Sequence, residues 1–194
     1  MPSLPSTIYP IGAYNLHGLV WQTNVSTDVK NGKPYALCVD AYQGHLLKID
    51  PFSEGATVLN NYTALQFRDA TGLAIAGDTL WITKDNGIYY CNMADFDLQP
   101  FMELPNRVDG IAVSEGGVYV SSSEVGKIFV FGRATRTLLR IMDAPGAGFE
   151  ALTLMGEELW VSDRTEETVY RLNAKTGEVV NRGLTPFPNP MGLG

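Results

Sequence analysis

Three segments of this chain repeat one pattern at a near-constant interval. Leu80-Trp81-Ile82, Val118-Tyr119-Val120 and Leu159-Trp160-Val161 each set an aromatic between two aliphatics. The aromatics stand 38 and then 41 residues apart. Nine residues before each aromatic, a small residue opens an apolar run: Gly72 to Ile75, Gly110 to Val113 and Ala151 to Leu154. The opening returns once more at Gly192, 41 residues after Ala151. A period of about 40 residues marks a chain built by stacking one supersecondary unit, whose apolar faces are buried only against its neighbours.

The rest of each unit repeats too. A third apolar run follows at Ile88 to Cys91, Ile128 to Phe131 and Val169 to Leu172. A polar turn comes next, clearest at Asn173 to Gly177, and a fourth run at Phe101 to Leu104, Leu138 to Ile141 and Glu178 to Val180. A divergent unit precedes these, with runs at Gly18 to Trp21, Leu37 to Val39 and Leu46 to Ile49. Its first two runs are spaced 11 residues wider than in the other units, and the polar stretch around Ser26 to Lys33 predicts an elongated hairpin loop.

The runs are rich in β-branched and aromatic residues, and no helical period is sustained. They also lack a clean in/out alternation, which is expected where both faces of a sheet are buried. The prediction is an all-β protein, a β-propeller of four four-stranded antiparallel blades. Residues 1–194 form a single domain with blades at approximately 18–71, 72–109, 110–150 and 151–191. Residues 1–17 are expected to hold a clasp strand, around Thr7 to Asn15, and residues 192–194 to start a further repeat. Four blades leave the ring incomplete unless they close as a small ring, or unless a second copy or a longer chain supplies the missing cover.

Composition narrows the function. The formal net charge is -7, which repels phosphate backbones and argues against nucleic acid. No run approaches the ~18 apolar residues of a membrane helix, and no basic-then-apolar leader is present, so no membrane partner and a cytoplasmic location are expected. The two cysteines, Cys38 and Cys91, lie inside predicted strands, outside any CxxC, and are expected to be buried reduced thiols. Gly146 to Ala151 has the GxGxxA spacing but precedes a strand, so it reads as an interblade turn. Trp21, Trp81 and Trp160 read as interblade packing.

The wording of the repeats resembles the NHL, YVTN and SMP-30-like propellers. The segments that carry the resemblance are Asp109 to Val113 with Val118 to Ser121, and Leu159 to Asp163 with Val169 to Leu172 and Thr176 to Val179. It covers residues 18 to 191 and implies the fold; many activities share that fold. More loosely, the blades resemble the propeller region attached to a transglutaminase-like domain in some bacterial proteins, whose Cys-His-Asp site has no counterpart here.

The residue before each inner strand should lie at one mouth of the central channel. Across the repeats these are His17, Thr71, Asp109, Glu150 and Met191. His17, Asp109 and Glu150 are candidate metal ligands, because a divalent cation needs carboxylates or imidazoles converging from separate elements. The resemblance implies the same, since SMP-30-like lactonases use carboxylates at such positions. The competing reading is that these side chains cap loops through backbone N–H groups. No organic cofactor is expected, and a divalent cation is the one group the mouth could hold. The leading functional expectation is a non-catalytic scaffold or protein-binding module, whose partner is another protein or domain, or a second copy that closes the ring. The alternative is a metal-dependent lactonase or related hydrolase.

Overall fold

The computed structural model describes residues 22–30, 33–41, 44–50, 57–63, 65–185 and 192–193. These residues form sixteen strands and one short 3-10 turn, Leu65–Phe67, with no α-helix. The strands group into four separate antiparallel sheets, each a simple meander. The first holds β1 (Gln22–Lys30), β2 (Lys33–Asp40), β3 (His45–Asp50) and β4 (Thr57–Thr63). The second holds β5 (Ala70–Ala76), β6 (Thr79–Lys84), β7 (Gly87–Asn92) and β8 (Gln99–Glu103). The third holds β9 (Ile111–Val113), β10 (Gly117–Ser122), β11 (Lys127–Gly132) and β12 (Leu138–Asp143). The fourth holds β13 (Phe149–Met155), β14 (Glu158–Asp163), β15 (Thr168–Asn173) and β16 (Val179–Leu184). Trp81, Tyr119 and Trp160 fall on the second strand of their sheets, as the triplets predict.

Each inner strand packs on the next, β1 on β5, β5 on β9 and β9 on β13, and β13 also reaches β5. The sheets therefore turn about a common axis as propeller blades do. Among the described residues no ladder joins the fourth sheet to the first. Near the axis there is no room for side chains between consecutive inner strands. A Cβ on Gly72 would stand 2.5 Å from the Asp109 carbonyl oxygen, and one on Gly110 2.3 Å from that of Glu150. Glycine at these openings is thus a condition of blade-to-blade contact.

Farther out, three apolar cores fill the gaps. Leu37, Val39, Leu46, Phe67, Leu73, Leu80 and Ile82 join the first two blades. Trp81, Ile88, Phe101, Ile111, Val118 and Val120 join the second and third. Tyr119, Ile128, Met142, Leu152, Leu159 and Leu172 join the third and fourth. Both faces of the middle blades are consumed, which is why their strands do not alternate. Cys38 and Cys91 are free and buried, and burial, with Asp40 beside the first and Asp95 and Asp97 near the second, pushes both thiols up to about 12.

Blade one departs from its expected layout. Its inner strand is Gln22–Lys30, and the expected Gly18 to Trp21 run lies outside the described residues, as does the clasp strand. The stretch expected as a loop is paired strand: the β1–β2 ladder continues from Val25↔Cys38 to Lys30↔Lys33. Only Asn31 and Gly32 separate the two strands. An Asn-Gly step favours a two-residue hairpin connection even where the flanking strands are polar, so pairing here does not depend on an apolar pattern.

Candidate functional site at the channel mouth

The backbone at the start of each inner strand explains how side chains from separate blades reach one place. The β5–β6 ladder skips from Ala70↔Lys84 to Gly72↔Thr83, leaving Thr71 as an extra residue. The β13–β14 ladder skips from Phe149↔Asp163 to Ala151↔Ser162, leaving Glu150. In blade three the Asp109 N–H donates to the Ser121 carbonyl at 2.9 Å while the Gly110 carbonyl accepts from the Ser121 N–H at 3.0 Å, so Asp109 and Gly110 share one partner. All three are β-bulges, which twist a strand and re-aim the extra side chain. Thr71, Asp109 and Glu150 therefore occupy equivalent positions at one end of the channel.

Blade one has its own skip, from Gln22↔Asp40 to Val25↔Cys38. By that register Thr23 is the residue equivalent to Thr71, Asp109 and Glu150. His17 and Met191 lie outside the described residues.

The mouth side chains are engaged with their own surroundings. Asp109 is 8% exposed. Its Oδ2 accepts from the Ser123 N–H at 2.7 Å, and its Oδ1 faces Arg107 Nε at 3.5 Å. Glu150 Oε1 pairs with Arg164 Nε at 3.1 Å. The Thr71 hydroxyl donates to the Val108 carbonyl at 2.8 Å, and Thr83 Oγ1 donates to the Asp109 carbonyl at 2.7 Å. Hydroxyls of blade two thus stitch blade three at the mouth.

Burial pushes the Glu150 carboxyl above its usual range, Arg164 pulls it back down, and the nearby Asp109 and Asp163 push it up again. Asp109 and Glu150 are therefore close enough to feel one another. As a donor set for a divalent cation the pair fits poorly, because each carboxylate already carries an arginine and Asp109 also caps a backbone N–H. Among the described residues no three His, Cys, Asp or Glu side chains are grouped to hold a metal.

One further carboxylate belongs to this end and was not singled out from the sequence. Asp163, fully buried, accepts from the Gly148 N–H at 3.1 Å and the Glu166 N–H at 2.8 Å. By ladder position it matches Asp40 of blade one, also fully buried, and Lys84 of blade two. The available signal was its place, one residue beyond Ser162, which the repeat aligns with Thr83 and Ser121. The Gly146 to Gly148 stretch connects β12 to β13 and lies against Asp163, as an interblade turn. A Cβ on Gly146 would meet Asp163 Oδ2 at 1.9 Å.

The opposite end of the channel is lined mainly by aliphatic residues. A cavity of about 230 Å³ there is lined by the ends of the inner strands, among them Ile75, Val113, Leu154 and Met155, together with Leu193.

No family model matches the chain, and no curated protein matches it. Solved structures do. The chain is similar to a structure of a nidogen/laminin complex at 12% identity and TM-score 0.63, covering 87% of this chain and 65% of that one. It is similar to the glutaminyl cyclase of Myxococcus xanthus at 14% identity and TM-score 0.61, covering 84% and 71%. The hydrazine synthase of Kuenenia stuttgartiensis follows at 13% identity and TM-score 0.56, covering 90% and 52%. The chain spans between about half and 71% of the length of these structures. At such identity the likeness establishes a β-propeller-like fold, and proteins of diverse function share it. No helix among the described residues is long and apolar enough to cross a membrane.

Proposed function

We propose that this chain is a non-catalytic propeller scaffold that binds another protein or seats a neighbouring domain. The observation that carries this reading is the state of the channel mouth. Its two carboxylates serve internal partners, Arg107 and Ser123 for Asp109 and Arg164 for Glu150. Meanwhile the blade rims expose large apolar side chains, including Val179, Val180 and Leu184 on β16. Exposed apolar groups on a repeat scaffold suit a broad protein contact better than small-molecule chemistry. The nidogen/laminin structure, by its description, is of a complex between proteins.

The proximity of Asp109 and Glu150 favours a second reading, a metal-dependent hydrolase of the lactonase type. There the two carboxylates would release their arginines to hold a divalent cation, which would polarise a substrate carbonyl. Metal analysis of the purified protein, with melting curves in calcium, zinc and manganese, separates the two. The scaffold reading expects no bound metal and an unchanged melting temperature. An ion that binds only the folded state stabilises it by about 2.7 kcal/mol at a hundred times its dissociation constant. A shift of that size, abolished by Asp109→Asn, would replace the scaffold reading with the hydrolase. A partner that co-purifies with the chain and is lost with Val179→Lys and Leu184→Lys would support the scaffold directly.

A further inference from the structure

The junction between blades two and three carries two arginines that no acid answers. Arg133 and Arg136 sit in the turn between β11 and β12, Arg133 partly buried and Arg136 exposed. Both reach across to an aromatic wall on blade two, formed by Trp81, Tyr90 and Phe101. The Arg133 guanidinium stands 5.6 Å from the Trp81 ring centroid. That of Arg136 stands 5.3 Å from Phe101 and 6.0 Å from Tyr90. Arg136 donates to the Phe101 carbonyl at 3.5 Å and to the Tyr90 hydroxyl at 3.4 Å, beyond the usual length of such bonds. Among the described residues Arg107, Arg164 and Arg171 each pair with a carboxylate, and Arg133 and Arg136 pair with none. With 21 acidic side chains against 14 basic ones, the chain is not short of acids.

Blade four shows what completes such a stack. Trp160 is the repeat equivalent of Trp81, and the Arg171 guanidinium stands 5.3 Å from its ring centroid. There the guanidinium donates to both carboxylate oxygens of Glu158, two residues before the tryptophan. Two residues before Trp81 stands Thr79, so blade two has the aromatic and the cation and lacks the acid. A guanidinium placed on a ring still offers a fork of N–H donors that a carboxylate can take two at a time. The turn also fixes Arg136 in advance. Its φ is 57°, in the left-handed region, and its N–H donates to the Gly132 carbonyl at 2.8 Å. Gly177 makes the equivalent bond in blade four. An arginine is thus held where glycine would be free of strain.

We propose that this groove binds the carboxylates of an acidic segment of a partner protein, with Arg133 and Arg136 as anchors and Trp81, Tyr90 and Phe101 as the wall beneath them. The site lies apart from the channel mouth and from β16. It rests on the scaffold reading and names one chemistry that the partner carries.

Isothermal titration with a short peptide of alternating glutamate and glycine, amidated at its C-terminus, tests it. The dissociation constant should be on the order of 1 mM and should rise with added salt. The glutamine counterpart, and acetate at the same carboxylate concentration, should bind at least about fivefold more weakly. Thr79→Glu supplies the missing acid in the register of Glu158, and should weaken peptide binding about tenfold without lowering the melting temperature. Arg136→Gly gives the turn its least strained residue, so the fold survives, and it should also weaken binding about tenfold, as should Arg133→Gln. No binding at millimolar peptide overturns the inference. So does a glutamine peptide or acetate that binds equally well, or folded Thr79→Glu and Arg136→Gly variants that bind as the parent does. A chain that captures a partner through Val179 and Leu184 yet ignores the acidic peptide overturns this site and leaves the scaffold reading standing. A chain that binds the peptide through these arginines while holding a catalytic metal keeps the site and removes the scaffold reading.

Discussion

Blades two and four carry the same anchor, a tryptophan in the second strand, and cover it by different means. Trp81 is 3% exposed and lies in the core shared with blade three. Phe101 meets it edge-on at 5.1 Å, Tyr90 lies against it at 5.3 Å, and Arg133 reaches over from the next blade at 5.6 Å. Trp160 faces the same way from the last blade and is only partly buried. Its cover comes from its own sheet: the Arg171 guanidinium stands 5.3 Å from the ring centroid and is gripped by both carboxylate oxygens of Glu158. Those hydrogen bonds hold the Glu158 carboxyl below its usual range. Trp160 was expected to pack between blades; among the described residues it is covered instead by an ion pair. The face of blade two is covered by its neighbour, whereas among the described residues the ring of Trp160 is covered by charge from its own sheet.

The sharpest way to break this contrast is to truncate both anchors. Trp81→Ala should cost about 4 kcal/mol, since it empties a closed core. Trp160→Ala should cost less than half of that by chemical denaturation, because solvent and Arg171 already share its site. Equal losses would mean that the last face is sealed by something else. Next comes the junction near the axis. Gly110→Ala drives a methyl against the backbone of Glu150 and Leu152, and should cost about 3 kcal/mol. The equivalent residue of the last blade, Ala151, already carries that methyl, and Ala151→Gly should cost about 1 kcal/mol.

The smallest effect is at the mouth. The folded-state pKa of Glu150 is raised, so the folded protein holds that proton more tightly than the unfolded chain does. Its contribution to stability is full below the ordinary carboxylate range and is lost as pH rises through the folded value. Glu150→Gln should therefore flatten the fall of melting temperature with pH just above about pH 4. An unchanged slope would assign the trend to other carboxylates.

Much of this architecture could be read from residue order, and the reasons are specific. Trp81, Tyr119 and Trp160 mark their strands because a large side chain must recur wherever the same gap recurs between blades. Gly72 and Gly110 mark the openings because nothing larger fits there. Blade one was misread where the marks differ in kind. Ser26 to Lys33 has no apolar rhythm, and its pairing is declared only by Asn31-Gly32. The mouth was half readable. Asp109 and Glu150 hold equivalent bulge positions, and those bulges leave no hydrophobic trace, since one added residue is invisible to a count of apolar positions. The arginines on them, and buried Asp163, follow from three-dimensional neighbours.

The three apolar cores have a consequence for how such a chain can change length. Each core draws on two consecutive blades, and none draws on three. A piece of about 40 residues, cut anywhere at one phase of the period, carries half of each of two junctions. Duplicating or deleting such a piece recreates a junction of familiar shape, whereas a cut of any other length sets leucines against turns. Growth by whole increments is therefore nearly free of repacking, and a blade set against the outer face of the fourth sheet would meet the Arg171–Glu158 pair over Trp160.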